Sequence, residues 1–261
     1  MKVDIDKIIS IAEEAGSAIM RVYEKKFSID LKNDNSPITD ADRVSHDIIV
    51  KQLKEFFPTI PILSEESEKI SFEERRKWEI YWLIDPLDGT KEFIKKNGEF
   101  TVNIALIENG QPILGVVHQP TEQKTYFGGK NFPAKKRTGS TTKLIHACSV
   151  CKEKVRIVAS RSHKNPYLEK FIKKITRYTL SNIGSSLKIC VIAEGDADIY
   201  PRFGPTSEWD TAAAHAIAKA AGAKITDLKL NDLNYNTKSS LLNPPFIVFA
   251  DMEKDWLKLL Q

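Results

Sequence analysis

Two acidic clusters lie far apart in this chain, Asp85-Pro86-Leu87-Asp88-Gly89-Thr90 and Glu208-Trp209-Asp210, and a third acidic pair, Glu65-Glu66, precedes the first. Carboxylates are hard donors that suit Mg²⁺, and two cations about 3.5–4 Å apart can clamp both the attacking and the departing oxygen of a phosphoryl displacement. These residue types therefore point to metal-dependent hydrolysis of a phosphate. Asp85 and Asp88 are three positions apart across a proline-stiffened turn, which lets both side chains and the Leu87 carbonyl converge. Gly89 and Thr90 then open a helix whose free amides can receive phosphate oxygens. The same helix end disfavours a nearby cation, so several carboxylates are needed to hold metal there.

Each cluster also has a plainer reading. Asp85 to Thr90 could be an acidic turn with a helix cap, Glu65-Glu66 a surface pair, and Asp210 an acid that steadies the start of a helix. Asp42, three residues after Thr39, completes a capping box. Its sharper role is to position a water, with the Thr90 hydroxyl relaying the proton, and capping would fix the carboxylate for that task. No histidine is required, because a metal lowers the pKa of its water toward neutrality.

The elements that must position these groups follow from periodicity. Ile5, Ile8, Ile11, Ala12, Ala15, Ile19 and Val22 predict an amphipathic helix from about Asp4 to Phe27. After the polar turn cluster Lys32 to Pro37, Thr39-Asp40-Ala41-Asp42 opens a second helix, with an expected stripe of Val44, Ile48, Leu53 and Phe56 or Phe57, ended by Pro58. Ile62-Leu63 and Ile80 to Ile84 read as strands that stop at the acids. Thr101 to Ile107 and Ile113 to Val117 read as a hairpin, with Lys124 to Phe127 as a third strand. Residues 130–154 are expected to be irregular and to contain the lobe boundary. Beyond them come a Val155 to Ala159 strand, a Tyr167 to Lys174 helix, a strand near Tyr178 to Asn182 and a helix opened by Gly184-Ser185-Ser186. A short Ala197 to Tyr200 strand, an Ala-rich Thr211 to Ala221 helix, edge strands and a last helix from Glu253 complete the chain. The expected division is an N-terminal α+β lobe, 1–130, carrying most metal ligands, and a C-terminal α/β lobe, 131–261, carrying Asp210, with ligands gathered between them.

Composition narrows the class. A 261-residue chain with 41% hydrophobic residues can bury a large core, and no window approaches the roughly 18–20 apolar residues of a membrane span. The opening Met1-Lys2-Val3-Asp4 lacks the layout of a secretory signal, so a cytoplasmic location is expected, with peripheral attachment at the inner membrane face left open. Three cysteines cannot all pair within one chain, and the lone Cys148-x-x-Cys151 has no second pair nearby to make a zinc site. A net charge of +4 is too small for the basic stripe of a nucleic-acid binder.

The two signatures Asp85-Pro86-Leu87-Asp88-Gly89-Thr90 and Trp209-Asp210-Thr211-Ala212-Ala213-Ala214 resemble those of the inositol monophosphatase superfamily, a group of magnesium-dependent, lithium-sensitive phosphatases. Asp34-Asn35-Ser36-Pro37, Tyr81-Trp82-Leu83, Lys91 to Lys95, Asn97 to Leu106, Ser160-Arg161-Ser162-His163, Gly184 to Lys188 and Tyr200 to Thr206 are similar to its bacterial bisphosphate nucleotidase branch. The resemblance covers nearly the whole chain. It implies a layered α-β-α-β-α sandwich and removal of the 3'-phosphate of adenosine 3',5'-bisphosphate within sulfate assimilation. It also implies that Glu65, Asp85, Asp88, Asp210 and the Leu87 carbonyl hold two or three Mg²⁺ ions. Asp42 and Thr90, with Glu65, would form the catalytic set. The Asp88, Gly89 and Thr90 backbone would cradle the phosphate, and Ser185, Lys188, Arg202, His163 and Asp210 would meet the rest of a small-molecule nucleotide.

Lys188 and Arg202 supply the cations a bisphosphate needs, though each could be a solvated surface charge. His163 could equally be hydrogen-bonded structure. Two rival functions remain: the same chemistry on inositol monophosphate or fructose 1,6-bisphosphate, and a non-catalytic nucleotide or RNA binder that uses Lys135-Lys136-Arg137.

Overall fold

The apolar spacing of the first segment becomes helix α1 (Ile5–Tyr23), capped by the Asp4 carboxylate, which accepts from Asp6 N at 3.1 Å. The computed structural model describes residues 3–31, 37–150, 153–161 and 165–260, so most of the expected turn at Lys32 to Pro37 lies outside the described residues. The antiparallel pair β1 (Ile29–Leu31) and β2 (Pro37–Thr39) leads into α2 (Asp40–Phe56). Then follow β3 (Ile62–Ser64), α3 (Phe72–Arg75), β4 (Ile80–Asp88), α4 (Thr90–Ile94), β5 (Thr101–Glu108), β6 (Gln111–Gln119), β7 (Lys124–Gly129), β8 (Phe132–Thr138) and β9 (Thr141–Leu144). The second half adds β10 (Val155–Ser160), α5 (Pro166–Lys173), β11 (Tyr178–Ile183), α6 (Leu187–Ala193), β12 (Ile199–Arg202), α7 (Glu208–Ala220), β13 (Lys224–Asp227), β14 (Phe246–Phe249) and α8 (Trp256–Leu260).

Strands β3 to β9 form one sheet in sequence order, parallel only at β3–β4. Asn109 and Gly110, both at positive φ, make the β5–β6 turn that an Asn-Gly pair favours. The five-stranded sheet has the order β11-β10-β12-β14-β13. Side-chain alternation decides the layers. On β4 and β5, Trp82, Ile84, Val102, Ile104 and Leu106 pack with α1 and α2, whereas Tyr81, Leu83, Ala105 and Ile107 pack with α6 and α7. In the second sheet Val158, Tyr200 and Val248 face that same central helix pair, and Ile157, Ile199 and Ile247 face α5 and α8 on the outside. The result is the α-β-α-β-α sandwich. No helix among the described residues is long and apolar enough to cross a membrane.

Three expectations are corrected. The inward face of α2 is Ala41, Ser45, Ile49 and Leu53, with Phe57 buried just beyond the helix and Ile48 partly buried, whereas Val44 and Phe56 are 39% and 41% exposed. The face is turned because Ser45 Oγ donates to Pro86 O at 2.7 Å, which ties the helix to the acidic turn. Residues 132–144 are two further strands of the first sheet, not irregular chain. Ala134 is buried there, while Lys136 pairs with Glu194 and Arg137 with Asp6 and Glu13. The charges on β8, a strand paired on both sides, conceal its pattern, and Lys135-Lys136-Arg137 belong to that strand rather than to a loop. Finally, β14 is interior rather than an edge strand. Cys151 lies outside the described residues, and Cys148 Sγ donates to Val150 O.

Candidate active site

In a regular strand, residues three apart face opposite ways. Here Asp85 pairs with Asn103 and Asp88 with Thr101, so β4 spends three steps where β5 spends two. That β-bulge, containing Pro86, restores parity and turns Asp85 and Asp88 to one side. The Asp85 carboxylate folds over the bulge and accepts from Leu87 N at 3.1 Å.

Glu65 is brought in by the parallel neighbour, where its N–H donates to Ile84 O at 3.1 Å, one residue before Asp85. Asp210 arrives from the other side, at the third position of α7. It caps that helix by accepting from Ser207 N at 2.9 Å, and the same carboxylate joins the acidic cluster. One carboxylate oxygen from each of Asp85, Asp88 and Asp210 lies within 4.8 Å of the others.

Asp42 likewise does two things. Its Oδ2 accepts from Thr39 N at 2.7 Å and from Thr39 Oγ1 at 2.6 Å, which closes the capping box of α2. Its Oδ1 accepts from Thr90 Oγ1 at 3.2 Å, and that hydroxyl also lies 3.4 Å from Leu87 O. Thr90 opens α4, a helix of five residues that cannot sustain itself. An aromatic cluster holds it: the Phe93 ring lies 5.0 Å from Tyr23, 4.8 Å from Phe27 and 5.2 Å from Phe100. Gly89 caps it at φ 94, a conformation that favours glycine.

The electrostatics describe a site short of positive charge. Burial, then the charges of Glu65, Asp88 and Asp210, raise the Asp85 carboxyl well above its ordinary range. Burial raises Asp88 to about 6, against the pull of Lys188 and the Ser186 N–H. Asp210 is raised by burial and by Asp88 and Glu65. Burial lowers Lys188 to about 8 despite Asp88 beside it. The two buried cations, Lys188 and Arg202, do not balance Glu65, Asp85, Asp88 and Asp210 together with Asp42. An all-oxygen, hard, anionic donor set of this kind fits a divalent cation. Asn103 Nδ2, opposite Asp85 in the ladder, is buried without a hydrogen-bond partner among the described residues.

A cleft of about 240 Å³ separates the acids from the second sheet, with Glu65, Asp88, Gly89, Thr90 and Asp210 on one side and Ser185, Lys188 and Arg202 on the other. Lys188 and Arg202 are not solvated surface charges. The ammonium donates to Ser185 O and sits 5.6 Å from the Tyr200 ring centre, while Arg202 donates to Pro205 O at 2.8 Å and keeps a buried Nε without a partner among the described residues. Tyr200 and Ser186 also line the cleft and were not singled out from the sequence. Asp42 and Asp85 lie behind the cleft lining, held to it through Thr90 and Asp88, whereas Glu66 does not line the cleft and Glu208 turns away to accept from Asn236 N at 2.8 Å. His163 lies outside the described residues.

The model of the inositol monophosphatase family, whose phosphatases use divalent metal, matches residues 2–256. The chain is 47% identical over 246 residues to the 3'(2'),5'-bisphosphate nucleotidase CysQ of Shigella flexneri, covering 94% of this chain and 98% of that one. It is 35% identical to the CysQ of Haemophilus influenzae over 98% of this chain and 96% of the relative. The crystal structure of CysQ from Bacteroides thetaiotaomicron superposes with a TM-score of 0.82 at 43% identity, over 94% of this chain and 96% of that one. A bulged acidic strand, a capping acid on α7 that opens onto one cleft and this likeness along the whole length lead to one conclusion: the chain belongs to the inositol monophosphatase family.

Proposed function

We propose that this chain is a magnesium-dependent 3'(2'),5'-bisphosphate nucleotidase that removes the 3'-phosphate of adenosine 3',5'-bisphosphate to give AMP and phosphate. The observation that carries the reading is the meeting of Asp85, Asp88 and Asp210 within 4.8 Å beside the Asp42–Thr90 hydrogen bond, with two buried cations across the cleft. The names of the relatives at 47% and 35% identity support the choice of substrate. Glu65, Asp85, Asp88, Asp210 and the Leu87 carbonyl would hold two or three Mg²⁺ ions. When bound, such ions neutralise phosphate oxygens and acidify water.

The chain's own groups do the rest. Thr90 Oγ1, which donates to Asp42 Oδ1, would take the proton of the attacking water and pass its own to Asp42 as the water oxygen bonds to phosphorus, while the bond to the ribose 3'-oxygen breaks and that oxygen takes a proton from solvent to become the 3'-hydroxyl. The α4 N-terminus, with amides lacking intrahelical acceptors, receives the transferred phosphoryl oxygens. Lys188 and Arg202 take the second phosphate, and Ser185 and Asp210 border the ribose.

Phosphate release from adenosine 3',5'-bisphosphate, AMP, inositol 1-phosphate and fructose 1,6-bisphosphate tests the reading. The bisphosphate nucleotide should be turned over with the highest kcat/KM, only with Mg²⁺ present, and lithium should inhibit. Comparable efficiency on inositol 1-phosphate would end the nucleotide assignment.

A further inference from the structure

Glu99 in the approach to β5 and Thr101 and Asn103 at its start all reach one turn of the opposite lobe. Glu99 Oε2 accepts from Gly184 N at 2.7 Å. Thr101 Oγ1 lies 2.9 Å from Ser186 Oγ, and Asn103 Oδ1 accepts from Ser186 Oγ at 2.9 Å and from Thr101 Oγ1 at 3.0 Å. Thr101 and Asn103, two apart on β5, share one side of the strand, and Glu99 in the approach to β5 reaches the same turn, so the three form a comb. Arg161 fixes its outer tooth, donating through Nε and Nη2 to the two Glu99 oxygens at 2.7 and 2.6 Å, and to Asn182 O at 2.6 Å.

The turn that is gripped does not hold its shape unaided. Ser185 sits at φ 48, in the left-handed region, and a Cβ on Gly184 would lie 2.8 Å from both Glu92 Cγ and Glu99 O. Yet this turn serves the site twice: Ser186 N donates to Asp88 Oδ2, and Ser185 lines the cleft. We propose that Glu99, Thr101 and Asn103 are positioning residues that hold the Gly184-Ser185-Ser186 turn across the lobes, with Arg161 as their lock, so that Asp88 is aimed for metal and Ser185 for substrate. This rests on reading Asp88 as a metal ligand.

Calorimetric titration of the whole protein with Mn²⁺, without substrate, reads the effect apart from catalysis, and Tm and steady-state constants accompany it. Thr101→Val removes the hydroxyl at nearly constant volume and should weaken Mn²⁺ binding about tenfold, as loss of an outer partner of a metal ligand does. Thr101→Ser should restore it. Wild-type affinity in a folded Thr101→Val protein overturns the proposal, and so does equal damage in Thr101→Ser, which marks a packing position. Should Thr101→Val not fold, Arg161→Gln decides, because its side chain is 46% exposed. Weaker Mn²⁺ binding and a raised KM at unchanged Tm support the comb, and wild-type values reject it. Failure of the nucleotidase reading would look different, as wild-type protein that binds no Mn²⁺ or releases no phosphate.

Discussion

Asp85 and Asp88 project to the same side of β4 because that strand carries one residue more than β5 between their partners, Asn103 and Thr101. The pair is thereby forced together, and repulsion within the cluster is the state that a cation relieves. Asp85→Asn and Asp210→Asn should each abolish turnover while leaving the fold intact. They should also raise the Tm of metal-free protein, because each removes one charge from a crowded, buried group. Mg²⁺ should stabilise only the wild type, by about 2.7 kcal/mol at a hundredfold excess over its Kd. A near-normal rate in either variant contradicts the ligand assignment.

Lys188 and Arg202 share one wall of the cleft and are both buried. Their charge matters most for a substrate with two phosphates. Lys188→Ala or Arg202→Ala should raise KM for adenosine 3',5'-bisphosphate by about tenfold or more, the scale of a lost charge-assisted hydrogen bond, and change kcat less. Equal effects on a simple monophosphate would remove them from specificity.

His118 and His215 are buried as neutral rings. Burial lowers His118 to about 4, and burial with Lys219 nearby lowers His215 to about 3, both from 6.5. Below pH 6.5 the unfolded chain therefore binds protons that the folded chain refuses. Their contribution is complete above pH 6.5 and is lost as pH falls toward the folded values, on the order of 2 kcal/mol per ring at pH 5. Urea unfolding at pH 7 and pH 5 should show this drop, and His118→Gln should reduce it. An unchanged pH dependence in that variant would contradict a neutral His118.

Much of this was readable in the residues themselves. Continuous apolar runs such as Tyr81 to Ile84 and the helical spacing of α1 placed a buried strand of the first sheet and the helix packed on its outer face, and the capping box at Thr39–Asp42 fixed where α2 begins. Local chemistry was less able to show what the tertiary fold decides. Nothing around Asp85 announces a bulge, since the extra residue is defined only against the register of β5. Val44 looked like core until Ser45 anchored the helix face one position round. The strand at Lys135 to Arg137 was hidden because Lys136 and Arg137 find their partners at the end of α6 and on α1, distant in sequence. Glu208, two residues from Asp210, turns the opposite way, which spacing along a helix start does not specify.

Gly115 on β6 lies directly beneath α7. A Cβ there would sit 2.0 Å from Ala213 O and 2.7 Å from its carbonyl carbon, so the helix backbone rests on the strand with no room for a side chain. Asp210 is one turn before Ala213, and the distance from α7 to the sheet thus sets how closely Asp210 meets the two acids of β4. Gly115→Ala must lift the helix. It should lose about 1–3 kcal/mol of stability, the usual cost of overpacking, and bind Mn²⁺ more weakly as well. Gly222, at φ 93 beyond the end of α7 with open space around it, provides the contrast. Gly222→Ala should lose about 1 kcal/mol through backbone strain and keep its metal affinity. If both variants lose stability and both bind Mn²⁺ normally, helix seating does not govern the site.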